Sequence, residues 1–393
     1  MQVPIKVVSI VSRMNLGGVA VLLSDLHDLL PSQEFSHLLI TGVCADNEID
    51  IFADRKNDPN IIRLETMGRT PSLMKDISSF FSLRKILKNL SPDIVHTHTS
   101  KAGVLGRIAA ITLGKRISVV HTFHGHHLYG YFSKLIVKVM IFTERVLATK
   151  TNLFVADSRQ VMIDLKNAKV GSKNSWKVIP PGIRTLISIS RESARANLQI
   201  DNQSFVICWI GRFTDIKNPL LALQTFKALP SELRNRSQLI MLGEGERLQE
   251  CKEFASAHSL KVLFPGWETN IAPYLASANL LLMTSKNEGF GMVIAESGFF
   301  GVPTVSTDVG GVREFIEDGV NGILVQAEAE QIAASILALS QDSPKLLSLG
   351  AKAKGTTLKR FTVATFVSDH KVAYTELVTS KSKVQALKQD EQR

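Results

Sequence analysis

The chain has few cysteines and no long apolar run, and both absences narrow the classes of protein it can be. Its 393 residues include only three cysteines, Cys44, Cys208 and Cys251, which lie far apart without a CxxC pair. This spacing excludes a disulfide scaffold and a cysteine-built zinc site, and it fits a reducing compartment. The longest apolar run, Leu135–Phe142, is interrupted by Lys138, so the sequence predicts no segment of the roughly 20 apolar residues that cross a bilayer.

The first residues lack the features of a secretory signal. MQVPIKVVSIVSR carries one lysine before a short apolar run and has no small-residue cleavage site. We therefore expect a buried strand here and a cytoplasmic location. Hydrophobic residues make up 45% of the chain and charged residues 21%, a composition that excludes disordered, collagenous and coiled-coil proteins.

Positive charge is in excess, and all of the excess lies in the first half. The net charge is +10; residues 1–190 carry 24 Lys and Arg against 14 Asp and Glu, whereas residues 191–393 carry 22 of each. A basic half indicates an anionic partner, such as nucleic acid, a membrane surface or a phosphorylated acceptor, although a solvated basic surface is also typical. The absence of helix-turn-helix and RNA-binding signatures argues against nucleic acid.

Short apolar strands alternate with helical stretches along the whole chain, which predicts parallel sheets covered by helices on both faces. A break at Ile179–Gly182, with two consecutive prolines, predicts a linker. We place one Rossmann-like domain at residues 1–188 and a second at 189–393, with the last helix packing back on the first domain. The domains are expected to face each other across a cleft at the carboxyl ends of their strands. The tail after Thr379 is polar and is expected to fray.

Two glycine-containing loops follow predicted strands. Gly17 and Gly18 follow the first strand, where glycine lets a backbone approach a phosphate or sugar, although a plain turn is equally typical. The segment GRFTDIKN follows the strand FVICWI and carries Arg212 and Lys217. Two cations at a strand end suit a diphosphate and the charge that it gains on leaving, while two solvated cations remain an alternative.

A third segment combines acids with glycines. KNEGFGMVIAE follows the strand LLLMT, with Glu288 in the loop and Glu296 in the helix that the loop opens. Glycines there expose backbone N–H groups toward an anion, and carboxylates accept hydrogen bonds from sugar hydroxyls. A pair of surface glutamates is the alternative.

These three segments, in this order, resemble the retaining GT-B glycosyltransferases of glycosyltransferase family 4. EGFGMVIAE matches the family's E-x7-E signature, and GRFTDIKN matches its phosphate-binding loop. The resemblance runs from about Val7 to about Val325 and is strongest over residues 205–325. It implies a GT-B fold and transfer of a sugar from a nucleotide-sugar, UDP by family frequency, without a metal or other cofactor.

The resemblance also implies a role for each matching residue. Arg212 and Lys217 would bind and stabilise the departing diphosphate, and Glu288 would hold the transferred sugar. Glu296 would bind the ribose, and the first-loop glycines would close over the diphosphate. The remaining implied donor-binding residues, which offer mainly backbone amides, are Gly289, Phe290, Gly291, Met292 and Val293.

Histidines lie at two further strand ends of the first half. HTFHGHH spans residues 121–127, and the family places a His-Gly at this point, which implies that His124 contacts the donor sugar. A metal site and a set of core histidines are the alternatives. The segment Asp93–Ala110 is similar to enzymes that build bacterial polysaccharides, which implies an acceptor side with His98, Ser100 and Lys101.

Residues 132–150 form a candidate basic, apolar helix. With the basic first half, this pattern predicts peripheral association with an anionic membrane at its cytoplasmic face, where a polyprenyl-diphosphate-linked glycan acceptor would lie. An ordinary packed helix is the alternative. The resemblance favours attack on the same face as the departing phosphate over a double displacement, because no motif in the first half places a carboxylate as nucleophile.

The sequence thus predicts a hexosyl- or N-acetylhexosaminyltransferase of cell-surface polysaccharide biosynthesis. A UDP-sugar 2-epimerase-like GT-B enzyme shares the expected cleft, and a non-catalytic basic binding protein would explain the charge. The paired EGFGMVIAE and GRFTDIKN segments favour the transferase over both.

Overall fold

Two separate parallel sheets organise the chain in the computed structural model, which describes residues 3–390 apart from 47, 56, 69, 115 and 126–132, and not the side chains of 382–390. The first unit comprises Met1–Pro181 and Val363–Arg393, and the second comprises Gly182–Thr362. The division falls after Pro181 rather than after residue 188. Ile183 already belongs to the second unit, because its N–H donates to the carbonyl of Phe361 at 2.9 Å.

The first unit is a doubly wound α/β structure. In chain order its elements are β1 (Ile5–Val11), α1 (Gly18–Leu29), β2 (Phe35–Gly42), β3 (Ile61–Leu64), α2 (Leu73–Leu90), β4 (Ile94–His98), α3 (Ser100–Ile111), β5 (Ser118–Phe123), α4 (Lys134–Ala148), β6 (Leu153–Ala156), α5 (Arg159–Asn167) and β7 (Ser175–Val178). Among the described residues the strand order is β3-β2-β1-β4-β5-β6-β7, all parallel. The order reverses direction between β1 and β4, so the loops after these strands meet at one edge of the sheet.

The second unit repeats this plan with different elements. They are α6 (Arg191–Asn197), β8 (Phe205–Ile210), α7 (Pro219–Ala228), α8 (Ser231–Asn235), β9 (Ser237–Leu242), α9 (Leu248–Ala257), β10 (Val262–Gly266), α10 (Ala272–Ser277), β11 (Leu280–Met283), α11 (Met292–Phe299), β12 (Thr304–Thr307), a 3₁₀ helix (Gly310–Glu314), β13 (Gly322–Val325), α12 (Ala329–Gln341) and α13 (Ser343–Arg360). In the described part of the chain the order is β10-β9-β8-β11-β12-β13, again parallel. Here the direction reverses between β8 and β11.

Both sheets are buried on both faces, which explains their nearly continuous apolar strands. In β1 the side chains of Val7, Val8 and Ile10 are fully buried, although they point alternately to opposite faces. In the second unit Trp209 and Ile207 of β8 pack in one apolar cluster, and Val206 and Cys208 pack in another. Helices therefore cover both faces, as the alternation in the sequence predicts.

The last helix, α14 (Val363–Asp390), belongs to the first unit. Tyr374 is fully buried, and its hydroxyl lies 2.7 Å from Nδ1 of His96 in β4. Lys381 donates from Nζ to the carbonyl of Arg116 at 2.6 Å. The expectation of a frayed tail after Thr379 is wrong. The helix continues to Asp390, and Lys381, which lies beyond Thr379, still contacts the first sheet's surroundings through Arg116.

Candidate functional site

The cationic loop of the second unit lies between β8 and α7. α7 begins with Pro219 at its first turn, directly after Asn218, whose φ of 49° ends the loop in the left-handed region. Arg212 is exposed, and its guanidinium makes no ion pair or hydrogen bond with any residue that the structure describes. Lys217 is partly buried, and its ammonium donates to Oε1 of Glu288. The two predicted cations therefore differ, since the Arg212 side chain has no partner in the described residues and Lys217 is paired with Glu288.

Glu288 lies in the loop after β11, the strand that pairs with β8 at the reversal of the strand order. Glu288 is only 8% exposed. The same Oε1 that receives Lys217 also accepts a hydrogen bond from Oγ of Ser285 at 2.6 Å. A buried carboxylate needs such donors, and these two fix its position at the carboxyl end of the sheet.

The glycine segment turns this loop into α11. Gly291 precedes the helix with a φ of 81°, a left-handed conformation that favours glycine. The first N–H groups of a helix have no partner within the helix and are suited to an anion; here the N–H of Ile294 donates to the carbonyl of Gly291 at 2.9 Å. Phe290 contributes backbone only, because its side chain is buried against Phe361 with ring centroids 5.1 Å apart.

Glu296 lies within α11, about one turn after the helix begins at Met292. Its carboxyl makes no hydrogen bond or ion pair with the residues that the structure describes, although the residue is partly buried. Burial raises the pKa of the Glu296 carboxyl to about 7. A carboxyl without a protein partner at this position can accept hydrogen bonds from a ligand.

Several glycines and one serine that hold these loops were not selected from the sequence. A Cβ at Gly310 would lie 2.0 Å from the carbonyl oxygen of Glu288, and Gly311 donates its N–H to that same oxygen at 2.8 Å. Similarly, a Cβ at Gly243 would lie 2.0 Å from the carbonyl oxygen of Gly211. The paired glycines after β12 were a visible signal for this close approach, whereas the Ser285 contact depends on a side-chain direction that spacing does not show.

The loop before α1, which contains Gly17 and Gly18, has no steric need for glycine at Gly17. Gly17 has an extended φ of 163°, which any residue adopts, and a Cβ there would meet only the carbonyl oxygen of Asn15 at an ordinary 3.8 Å. Both Gly17 and Gly18 are exposed. Neither the conformation nor the described neighbours demand glycine at Gly17.

The predicted histidines come together at the carboxyl edge of the first sheet. Nδ1 of His98 lies 3.1 Å from Nε2 of His124, and the two rings stack with centroids 5.3 Å apart. Among the described residues no group of three or more His, Cys, Asp or Glu side chains is arranged to hold a metal ion. His126 and His127, which the metal reading also used, lie outside the described residues.

Lys101, predicted on the acceptor side, is engaged within the protein. Its Nζ lies 2.5 Å from Oδ1 of Asp76 and donates to the carbonyl of Thr70 at 2.8 Å. The side chain is 14% exposed. The Lys101 ammonium thus connects the start of α3 to α2. A ligand would have to compete with Asp76 for this ammonium.

Comparison with known proteins identifies the family of this chain. Residues 16–185 match the model described as Glycosyltransferase Family 4, and residues 190–356 match Glycosyl transferases group 1. The D-inositol 3-phosphate glycosyltransferase of Xylanimonas cellulosilytica is 30% identical over 292 residues, which are 68% of each chain. The chain belongs to glycosyltransferase family 4. This glycosyltransferase is therefore an enzyme, and the alternative of a non-catalytic basic binding protein is wrong.

Two further proteins extend the comparison over nearly the whole chain. The Escherichia coli protein named UDP-Gal:alpha-D-GlcNAc-diphosphoundecaprenol alpha-1,3-galactosyltransferase is 28% identical over 93% of the glycosyltransferase and 95% of that protein. The structure of Anabaena HepE in complex with UDP-glucose has a TM-score of 0.77 at 22% identity, covering 95% of this chain and 99% of that one. The two Rossmann-like units thus form a GT-B fold, as the sequence analysis expects.

Proposed function

We propose that this glycosyltransferase moves a hexosyl or N-acetylhexosaminyl residue from a UDP-sugar to a polyprenyl-diphosphate-linked glycan, in cell-surface polysaccharide biosynthesis. One observation carries the proposal: the Lys217–Glu288 pair lies where the strand order reverses, beside the start of α11. The name of the Escherichia coli relative supports a UDP donor and a lipid-linked diphosphate acceptor.

The donor would be held by complementary charges of the second unit. Arg212 is exposed, and Lys217 can turn part of its ammonium from Glu288 toward a diphosphate. Glu288 then accepts hydrogen bonds from hydroxyls of the transferred sugar, while Ser285 keeps its carboxylate in place. Glu296 accepts from the ribose. The exposed glycines of the first loop, Gly17 and Gly18, would allow the backbone to approach the diphosphate.

We further propose that the reaction retains the anomeric configuration without a metal ion. The departing phosphate takes the proton of the acceptor hydroxyl, the new glycosidic bond forms on the face that the phosphate leaves, and Arg212 and Lys217 stabilise the growing charge. His124 contacts the transferred sugar, and His98 lies on the acceptor side. Fixed donors aimed at the leaving group act most strongly in the transition state.

Helix α4 supports docking on an anionic membrane. Leu135, Val139 and Phe142 are 72%, 58% and 67% exposed, so these apolar side chains are not packed into the described core. Lys134 and Lys138 are exposed beside them. An exposed apolar stripe flanked by lysines is complementary to anionic lipid. No helix in the described residues combines the length and the hydropathy that crossing a bilayer requires. On the strength of the exposed stripe, we propose peripheral association at the cytoplasmic face of the membrane.

A thermal-shift screen of nucleotide-sugars, followed by product analysis, tests the proposed function. A bound donor raises the melting temperature by mass action, about 2.7 kcal/mol of stabilisation at 100 times its Kd. We expect UDP-sugars to shift the transition more than GDP- or ADP-sugars. A product with the donor's anomeric configuration supports retention, whereas formation of a 2-epimer without transfer would identify the epimerase alternative.

A further inference from the structure

One buried threonine of the second unit connects the loop after β11 to the loop between β8 and α7. Thr284 directly follows β11 and is fully buried. Its hydroxyl oxygen Oγ1 lies 2.9 Å from the carbonyl oxygen of Asn218 and 3.2 Å from that of Lys217. The hydroxyl of one loop therefore holds the backbone of the other at the residue whose ammonium pairs with Glu288.

Trp209 fixes the direction of this hydroxyl. The indole nitrogen Nε1 of Trp209, on β8, lies 3.0 Å from Oγ1 of Thr284, and Trp209 is itself buried. An indole N–H can only donate, so the hydroxyl accepts from it and directs its single proton to the two carbonyl oxygens. Of these two contacts, the one with Asn218 is the shorter. The hydroxyl is thus used both as an acceptor and as a donor.

The backbone that Thr284 contacts has an unfavourable conformation. Asn218 has a φ of 49° and a ψ of 55°, in the left-handed region, which is uncommon for residues other than glycine. Pro219 follows, and a proline favours extended backbone at the residue before it. The Asn218 side chain makes no capping hydrogen bond to α7. Such a conformation persists where surrounding contacts hold it, and Thr284 supplies a buried contact of this kind.

The next two residues of the chain complete the attachment. Ser285 donates to Oε1 of Glu288 at 2.6 Å, and the same oxygen accepts from the Lys217 ammonium. The N–H of Lys286 donates to the carbonyl of Ile216 at 2.8 Å. Three consecutive residues after β11 therefore restrain the backbone around the cation and the carboxylate that pairs with it.

We propose that Thr284 is a positioning residue, which fixes Lys217 through its backbone so that the ammonium lies at Glu288, in place for the departing diphosphate. The inference rests on the proposed role of Lys217 in stabilising that leaving group. It adds a residue that lies outside both matched segments, EGFGMVIAE and GRFTDIKN. A fixed charge stabilises a transition state only from the correct place, so a small displacement of the ammonium reduces its effect.

Lysine labelling tests the position of Lys217 without requiring turnover. Limiting acetic anhydride acetylates lysine amines, and mass spectrometry of the peptides gives the rate at Lys217 relative to the exposed Lys252. The ion pair with Glu288 shields the Lys217 amine from the reagent, so we expect several-fold faster labelling in Thr284→Val. Thr284→Ser keeps the hydroxyl and should label as the wild type does. An unchanged rate at Lys217 in Thr284→Val would overturn the proposal.

Thr225→Val is the matched control for the loss of a buried hydroxyl. Thr225 lies on α7 and is fully buried, and its Oγ1 has no hydrogen-bond partner among the described residues. We expect this variant to keep the wild-type labelling rate at Lys217 and the wild-type kcat. A change as large as that of Thr284→Val would overturn the proposal, because any buried hydroxyl would then have the same effect.

A double-mutant cycle tests whether the effect on the reaction passes through Lys217. We expect Thr284→Val to lower kcat about tenfold, with a smaller change in donor KM, because the ammonium is displaced from the leaving group. Thr284→Ser should recover most of kcat. In the Lys217→Ala background, Thr284→Val should have little further effect, since no ammonium is left to misplace. Unchanged kcat in Thr284→Val, or losses that multiply in the double variant, would overturn the proposal.

A further variant covers the case in which Thr284→Val does not fold. Thr284→Cys then enters both experiments, because a thiol is only a weak donor. Smaller changes in the same directions support the proposal, and wild-type rates overturn it. If the wild-type protein transfers no sugar from any donor, the proposed function fails, while the labelling rates still decide whether Thr284 positions Lys217.

Discussion

At the scale of single residues, the two loops of the second unit that we propose bind the donor contain two kinds of charged group. Lys217 and Glu288 neutralise each other, whereas Arg212 and Glu296 have no ion pair within the described residues. A ligand with a diphosphate and several hydroxyls can satisfy the free groups and share the paired ones. This division explains how the site stays stable without a ligand and is still complementary to one.

Lys217→Ala should reduce turnover far more than acceptor binding. The leaving diphosphate gains charge in the transition state, and loss of one fixed donor there costs about 10²–10³-fold in kcat. Steady-state kinetics at saturating donor measure the change. Lys252→Ala is the matched control, because Lys252 is an exposed lysine on α9, outside both loops. Near wild-type turnover of Lys217→Ala would contradict front-face stabilisation by this residue.

Glu296 should make donor binding depend on pH. Its pKa of about 7 means that the carboxyl is mostly protonated at pH 6 and mostly ionised at pH 8. Only the ionised form accepts freely from two ribose hydroxyls, so affinity for the UDP-sugar should weaken up to about tenfold from pH 8 to pH 6. Titration calorimetry at the two pH values measures this affinity. Glu296→Gln should bind with little pH dependence, and equal slopes in both proteins would exclude Glu296 as the cause.

At the scale of elements, close backbone contacts between loops position the acidic segment. The 3₁₀ helix begins at Gly310, whose φ is 53°, directly against the Glu288 backbone. Thr307 donates from Oγ1 to the carbonyl of Ser285 at 2.7 Å. The loop after β12 thus supports the loop after β11, which in turn holds Lys217.

Gly310→Ala should therefore impair catalysis without contacting a ligand itself. The added Cβ would lie 2.0 Å from the Glu288 carbonyl oxygen, so the loop must move, and we expect kcat to fall about tenfold or more. Gly319→Ala is the control, since it has a φ of 72° and nothing within 4 Å of its Cβ. If both variants lose stability and activity equally, backbone strain rather than displacement of Glu288 is responsible.

Helix α4 should determine binding to anionic vesicles. Replacing Leu135 and Phe142 together by serine removes two of its most exposed apolar side chains, and sedimentation with phosphatidylglycerol vesicles should show a loss of most binding. Leu347→Ser, at a residue that is 64% exposed on α13, should bind as wild type does. Equal, negligible sedimentation of the wild-type protein with anionic and neutral vesicles would rule out membrane docking.

At the scale of the whole molecule, the first unit buries an unusual set of histidines in uncharged form. Burial lowers the pKa of His37 to about 3 and of His370 to about 4, and it places those of His96, His98 and His121 well below 6.5. These histidines lie on β2, β4, β5 and α14. Acidification therefore destabilises the folded unit through these buried histidines.

The first unit should lose stability as the pH falls below 6.5. Between pH 6.5 and about 4 the unfolded chain binds protons that folded His370 does not, so unfolding is favoured, by about 1.4 kcal/mol per unit of pKa difference. Urea unfolding at pH 7.5 and 5 measures the loss. His370→Gln should reduce the pH dependence, and the exposed His258→Gln should leave it unchanged. Stability that is flat over this range would contradict the uncharged core.

Local pattern was sufficient to locate most elements and the candidate site segments. Strands such as Phe205–Ile210 and helices such as Pro219–Ala228 follow from apolar runs and from helix-starting residues, and the loops with Arg212 and Glu288 follow directly in the chain. The elements β3, β7, α6, α8, α10 and α13 were not predicted, and α14 was expected only as a last helix with a frayed tail. Short or polar segments take their structure from neighbours, which local pattern does not contain.

The sequence by itself determined the two-sheet plan, the family resemblance and the identity of the charged groups, since these depend on residue order within short segments. Only the tertiary structure decided which groups touch. Lys217 and Glu288 are 71 residues apart, and Tyr374 reaches His96 across 278. Asp157 reaches His124 from a neighbouring strand. Such contacts arise from strand order and packing, and the same residues in another order of strands would not meet.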